Sequence, residues 1–298
     1  MTDAETFQIP IEAAEFYEAE FVPAFFAQWA PVLCTAAGVA PGHNVLDVAC
    51  GTGIVARTAA DLVGPIGSVT GLDLNEAMLT VARRVSPDLA WRQGDAGSLP
   101  FDDQSFDVVI SQMALMFLPD RDQALREMAR VTARAGTVGV LVPSELERQA
   151  AFASFIDIAA RRAGPEAVSL LSSYFVCGGL DRLTALVEGA GLTVTDARVV
   201  TGTYRAPSVD AAVATEVEST PLRERISDNV YEQIREDARS ALARYTAADG
   251  SYSAPFDADP YVIQRHGPCA ASARTVDLPA SRPARQRRAR APHPAIAP

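Results

Sequence analysis

From Asn44 to Val142 the chain alternates short apolar runs with segments of helical periodicity, and this alternation restricts the fold more than any other feature. The runs 44–48, 68–73, 89–93, 106–111 and 137–142 read as strands. Between them lie GIVARTAADLVG, closed by Gly64, and NEAMLTVARRVS, opened by Asn75 and stopped by Pro87. A third helical stretch, DRDQALREMARVTARAG, opens at Asp120 with Gln123 three residues on and is expected to close at Gly136. Strand and helix in repetition give an α/β fold, a doubly wound parallel sheet with crossover helices.

The flanks are helical. Residues 1–40 are expected to form a cap of two helices broken at Pro23 or Pro31, with Phe16, Tyr17, Phe21, Phe25, Phe26 and Trp29 crowded into the first. The main domain spans 41–266, with helical insertions at about 144–178 and 208–248. A helix is expected at 180–189, a strand at 192–200 and a last strand in YVIQRH, 261–266. The segment 267–298, rich in Pro, Ala and Arg, cannot bury a core and is expected to be disordered.

Composition excludes several chemistries. The net charge is −11, and because 267–298 hold six arginines and one aspartate, the rest carries −16, which makes nucleic acid a poor partner. The chain has no lysine, so Schiff-base chemistry, a covalently held pyridoxal phosphate and a P-loop are all ruled out. Cys34, Cys50, Cys177 and Cys269 form no CxxC pair, so neither a disulfide framework nor a metal site is expected. No apolar run reaches the roughly 18 residues of a membrane span, and the acidic start does not resemble a secretory signal, so a cytoplasmic protein is expected.

Ligands of such sheets bind beyond the carboxyl ends of the strands, where the first strand turns into its helix. DVACGTG, 47–53, stands there. Gly51 and Gly53 let a backbone approach the ligand, and the next helix offers its amino terminus. With Ala56 they also satisfy GxGxxA, the dinucleotide pattern, so an NAD(P)-dependent oxidoreductase is the rival reading. Asp47 separates the two: a carboxylate at the strand tip repels a diphosphate and attracts an ammonium. S-adenosylmethionine carries that ammonium, together with a sulfonium and a carboxylate that can use the helix N–H groups. Asp73 ends the second strand, where either cofactor would offer ribose hydroxyls. Asp95 and Ala96 follow the third strand, within reach of an adenine amino group and ring nitrogen. Ser111 and Gln112 end the fourth, facing the methionine amine.

VLDVACGTG, GLDLNEAML, GDAGSLPFDDQSFDVVIS and FLPDRDQALREMARV together resemble the class I S-adenosylmethionine-dependent methyltransferases, in the ubiquinone/menaquinone methyltransferase-like branch. The resemblance covers about a third of the chain strongly and the rest in outline. It implies a Rossmann-like, seven-stranded sheet whose final strand is antiparallel, with helical insertions forming a lid. It also implies that Asp47, Gly51, Gly53, Asp73, Asp95 and Ala96 contact the cofactor, and Ala49 and Leu74 are counted with them. Ala49 stands where the family often has glycine. Taken singly, each of these positions also has a plainer reading as turn or cap chemistry.

The implied activity is transfer of a methyl group from S-adenosylmethionine to a small apolar or aromatic acceptor, by O- or C-methylation. A third reading keeps the cofactor without catalysis. His43, His266 and His293 are read as structural or solvent-facing, so no catalytic residue is named. Tyr17 is expected to touch the cofactor, and Phe21, Phe25 and Phe26 are read as core. Met113, Phe152, Phe155 and Tyr174 are the candidates for the acceptor pocket. The acceptor's identity and a homodimeric state are left open.

Overall fold

The strand Asn44–Val48 (β1) is buried along nearly all of its length, so it needs neighbours on both sides and helices on both faces. The computed structural model, which describes residues 9–265 apart from 219 and 221, provides them. Ser68–Asp73 (β2) lies parallel to β1 on one side, with Ala90–Gln93 (β3) beyond it. Phe106–Gln112 (β4) lies parallel on the other side, followed by Thr132–Pro143 (β5). Leu192–Ala197 (β6) and Val200–Ala206 (β7) both pair antiparallel with the long strand Tyr252–Arg265 (β8). β8 also runs antiparallel to β5, giving the order β3-β2-β1-β4-β5-β8-β6, with β7 alongside β8 as an eighth strand. The sheet is thus the doubly wound one expected, with its last strand reversed. The single expected strand 192–200 is replaced by two strands, β6 and β7, which pair with the two halves of β8.

Ile11–Phe16 (α1) runs into a π-helix, Tyr17–Phe26, and Ala30–Ala36 (α2) follows. Pro23 sits inside the π-helix, and the chain breaks just before Pro31, which occupies the first turn of α2 where its missing N–H loses no bond. Ile54–Val63 (α3) connects β1 to β2. Glu76–Val85 (α4) begins at Asn75, whose Oδ1 accepts from the N–H groups of Ala77 at 2.9 Å and Met78 at 3.3 Å. Arg121–Val131 (α5) begins at Asp120, which accepts from the Gln123 N–H at 2.9 Å.

α5 does not extend to Gly136 as the sequence predicts. It stops at Val131, where the Thr132 hydroxyl donates to the Met128 carbonyl at 2.7 Å and Thr132 pairs with Phe106. Gly136 serves a different need, since a Cβ there would lie 2.5 Å from the Asp107 carbonyl oxygen.

Ala150–Ala163 (α6), Pro165–Ser172 (α7) and Leu180–Gly189 (α8) follow β5, and Val209–Glu218 (α9), Leu222–Arg225 (α10) and Asp228–Ala241 (α11) separate β7 from β8. The two insertions pack as one helical layer, because α11 lies against both α6 and α9. A bidentate pair from Arg162 to Asp237, at 2.8 and 3.0 Å, joins them on the solvent side. Two apolar clusters cover the sheet, one containing α2, α3 and this layer, the other α5 and α8. Among the described residues no single helix is long and apolar enough to cross a membrane. The readings made for 267–298 lie outside the described residues.

Candidate functional site

Only residues 49–53 separate β1 from α3, and the chain turns within them by entering the left-handed region three times: Ala49 at φ 57°, Gly51 at φ 55° and Gly53 at φ 90°. Glycine takes this conformation without penalty, whereas Ala49 brings its Cβ against the following carbonyl. Ala49→Gly should therefore raise stability by about 0.5–1 kcal/mol, the relieved strain outweighing the extra freedom of the unfolded chain, as read by thermal denaturation.

Trp91 on β3 is the seat of this loop. A Cβ on Gly53 would lie 2.2 Å from its Cη2 and a Cβ on Gly71 would lie 2.4 Å from its Cζ3. The indole N–H donates to the Ser86 carbonyl at 2.9 Å, which fixes the ring in its plane.

Two carboxylates converge on the loop. Asp47, 1% exposed, accepts the Ala56 N–H in the first turn of α3 at 2.9 Å through Oδ2. Asp73 accepts the Gly51 N–H through Oδ2 and the Asn75 N–H through Oδ1, both at 2.8 Å. Asp73 therefore shapes the loop and, with more than one lone pair on each oxygen, keeps capacity for ligand hydroxyls. Burial pushes both acids upward, Asp47 to about 8, with the Ala56 N–H opposing the rise and the neighbouring Asp73 charge adding to it. Asp47 is a buried acid short of positive charge.

This gives a pH signature. In the folded, ligand-free chain Asp47 holds its proton up to about 8, whereas unfolded it loses the proton near 3.8. The folded state therefore binds more protons across that window, and stability falls as pH rises through it, by up to about 1.4 kcal/mol per pH unit. Urea unfolding between pH 4 and 8 should show the decline in wild type and a flatter profile in Asp47→Asn.

A lid lies above the loop. The Tyr17 ring is 3.8 Å from where a Cβ on Gly51 would be, and it contacts Phe26 with ring centroids 5.0 Å apart. Burial and the Asp73, Glu18 and Asp47 charges keep its hydroxyl protonated. Arg57 of α3 pairs with Glu18 at 2.8 Å and donates to the Thr52 carbonyl at 2.7 Å, tying lid to loop. Gln112 Nε2 donates to the Phe26 carbonyl at 3.1 Å, tying lid to β4. Within this enclosure the Thr52 and Ser111 hydroxyls, Gln112 Oε1 and Glu18 Oε2 are buried without a hydrogen-bond partner among the described residues. Groups of this kind are rarely left so unless a ligand or water completes them.

Asp95 is exposed just after β3, where its Oδ1 accepts the Gly97 N–H at 2.8 Å, and Ala96 beside it is buried. Leu74, next to Asp73, is 39% exposed. The loop and the four strand tips so far named stand together at the carboxyl edge of the sheet. Met113 follows β4 at φ 53° and donates its N–H to the Leu141 carbonyl at 2.7 Å. Phe152 touches Phe155, Tyr174 and Phe175 edge-on. Phe25 and Phe26 pack against the larger apolar cluster. His43 lies ahead of β1, its Nδ1 accepting the Ala40 N–H at 3.3 Å, whereas His266 and His293 lie outside the described residues. Among the described residues no group of three or more His, Cys, Asp or Glu could hold a metal ion.

Sequence reasoning missed Trp91, although a glycine in mid-strand, Gly71, is the usual mark of a close approach. It also missed the Arg57–Glu18 tie and the meeting of Tyr204 on β7 with Glu216 on α9; neither has a local signal.

Residues 46–140 match the family model of the methyltransferase domain. A demethylmenaquinone methyltransferase of Lactobacillus johnsonii is 42% identical over 113 residues, covering 36% of this chain and 46% of that protein. A ubiquinone/menaquinone biosynthesis C-methyltransferase of Ectopseudomonas mendocina is 40% identical over 119 residues, 38% of this chain and 46% of that one. The chain thus spans somewhat less than half the length of these relatives. Among solved structures, a Bacillus halodurans protein superposes with TM-score 0.55 at 19% identity, over 79% of this chain and 98% of the other. A Haemonchus contortus phosphoethanolamine N-methyltransferase, solved with S-adenosylhomocysteine, gives TM-score 0.54 at 20% identity, over 88% of this chain and 58% of the other. At such identities these likenesses establish the fold.

Proposed function

We infer, from the match of residues 46–140 to the family model of the methyltransferase domain, that this chain binds S-adenosylmethionine and transfers its methyl group to a small apolar or aromatic molecule. The observation that carries the inference is the buried acid Asp47, one oxygen on the Ala56 N–H and in no ion pair among the described residues, beside a loop bent left-handed at three positions. A dinucleotide fits this poorly, because Asp47 already occupies a helix N–H that a diphosphate would use, and this buried acid gives up its proton readily only beside a cation, which a diphosphate does not bring.

The orphaned buried atoms fit the cofactor's polar groups. Asp47, Ser111 and Gln112 would hold the amino acid end, Gly51 and Gly53 the closely approaching backbone, and Asp73 the ribose hydroxyls. Ala49 and Leu74 flank these contacts, and Asp95 with the Ala96 N–H would take the adenine. When bound, the cofactor supplies a methyl group made electrophilic by its sulfonium. The chain's part is to align the acceptor and exclude water, which the Tyr17 lid and its ties to Arg57 and Gln112 support. An aromatic ring against a sulfonium adds about 0.5–2 kcal/mol of cation–π attraction.

The acceptor wall would be built from Met113, Phe152, Phe155 and Tyr174, giving O- or C-methylation of a small molecule. The relatives' names speak of quinone precursors, but the family match ends at 140, ahead of α6 and its aromatic residues, so that acceptor does not carry over. Calorimetry with S-adenosylhomocysteine and NADH tests the cofactor: binding of the first and not the second is expected, and the reverse removes the reading. Transfer of labelled methyl groups into a small-molecule extract tests the reaction.

A further inference from the structure

Residues 94–105 join β3 to β4 and carry Asp95 and Ala96, yet they belong to no helix and to no strand of the sheet. A segment of this kind holds one shape only if its backbone groups are bonded from elsewhere. Its first turn is local: Asp95 Oδ1 accepts the Gly97 N–H at 2.8 Å, and the Asp95 carbonyl accepts the Ser98 N–H at 3.0 Å. The stretch beyond is bonded from one helix. Gln123, Glu127 and Arg130 of α5 are spaced by four and three residues, which places them in a single stripe. Gln123 Nε2 donates to the Gly97 carbonyl at 3.2 Å, and Glu127 Oε2 accepts the Leu99 N–H at 2.8 Å. Arg130 donates through Nη2 to the Leu99 carbonyl at 2.9 Å, and through Nη1 to the Phe101 carbonyl at 2.9 Å and to Asp103 at 2.8 Å. Its Nε and Nη2 also bond the two oxygens of Glu127, at 2.7 and 2.8 Å, so each member of this pair is fixed by the other. The Arg130 carbonyl accepts the Gln104 N–H at 3.0 Å.

We propose that Arg130, set by Glu127 and aided by Gln123, is a positioning residue for recognition of the adenine ring: the stripe holds residues 97–103 so that Asp95 accepts from the 6-amino group while the Ala96 N–H donates to a ring nitrogen. That Asp95 and Ala96 meet the adenine rests on the function proposed above. Arg130 acts on the ring only through the backbone it grips. A fixed backbone matters here because Asp95 is exposed, and a base read by one acceptor and one donor is discriminated only while the turn that bears them keeps their directions. A guanidinium suits the task better than an ammonium, because it satisfies two carbonyls and two carboxylates at once in set directions. Without it the Leu99 and Phe101 carbonyls are left to water and the turn is released, while β1 and its glycine turn keep their own bonds to Asp47 and Asp73.

The test titrates the full chain with S-adenosylhomocysteine and S-inosylhomocysteine, which differ only in the base. In the inosyl compound the amino donor becomes a keto acceptor facing Asp95, and the neighbouring ring nitrogen carries a proton facing the Ala96 N–H, so both contacts are reversed. Wild type should prefer the adenosyl compound by at least about tenfold. In Arg130→Gln the preference should fall below about threefold, chiefly through weaker binding of the adenosyl compound. In Gln123→Ala it should fall part of the way. In Arg126→Gln, which alters a solvent-exposed pair with Asp122 on the same helix, it should keep the wild-type value. Amide hydrogen exchange of the ligand-free chain gives a second reading: peptides covering 94–104 should exchange faster in Arg130→Gln, and those covering 47–56 should not. An unchanged preference in Arg130→Gln, an equal loss of affinity for both compounds, or unaltered exchange over 94–104 overturns the proposal. If Arg130→Gln does not fold, as judged by circular dichroism, Gln123→Ala decides by whether it narrows the preference. Wild type that binds both compounds alike overturns the proposal and leaves cofactor binding in place; wild type that binds neither overturns the methyl-transfer reading and the proposal with it.

Discussion

Asp73→Ala should weaken S-adenosylhomocysteine binding by about 30- to 1000-fold, or 2–4 kcal/mol, because this carboxylate has two tasks. It holds the Gly51 and Asn75 N–H groups at 2.8 Å, and it is the proposed acceptor for the ribose hydroxyls. Removing it leaves two N–H groups without their partner and the ligand without an anion. Asp73→Asn separates the tasks, since its one amide oxygen can keep one of the N–H bonds while the charge is gone; a loss of about tenfold is expected there. Titration calorimetry on folded variants reads both. Wild-type affinity in Asp73→Ala would remove the site as described.

The second large effect concerns the loop's seat. Gly53→Ala should destabilise the chain by about 2–5 kcal/mol, combining the penalty for a left-handed alanine with overpacking against a rigid ring. The new methyl would stand 2.2 Å from Trp91 Cη2, and neither the ring nor the backbone of β3 can retreat far, since the indole N–H is held by Ser86. Gly71→Ala meets the same ring at 2.4 Å, and Cys50 Sγ at 2.9 Å, with no positive φ, so it is the comparison that carries overpacking without the left-handed penalty. In urea unfolding, Gly53→Ala should cost less in a Trp91→Ala background than in wild type. Equal costs in the two backgrounds would mean the indole is not the seat.

The features legible in the sequence are those decided by neighbours along the chain. The asparagine and aspartate that open α4 and α5 bond N–H groups two or three residues on, so a short window contains the whole interaction. The strand β1 and its glycine-rich turn are legible for the same reason. What escaped was decided at a distance. Gly136 looked like a helix stop, but its smallness answers Asp107 on another strand. The run after Leu192 looked like one strand and is two, because the register along β8, sixty residues later, sets the pairing. Trp91 looked like one more apolar residue of a strand, and only the fold brings it under Gly53. Glu216 and Tyr204 lie on separate elements with nothing in their local sequence to pair them.

The placement of β8 bears on how the molecule comes into being. This strand fills the slot between β5 and β6, yet it is translated after every other described element. As the polypeptide emerges from the ribosome, β1 to β5 can pair and the glycine turn can close while the β5 edge still faces water. Such an open edge is where nascent chains stick to one another, and it stays open until residues 252–265 arrive to cover it.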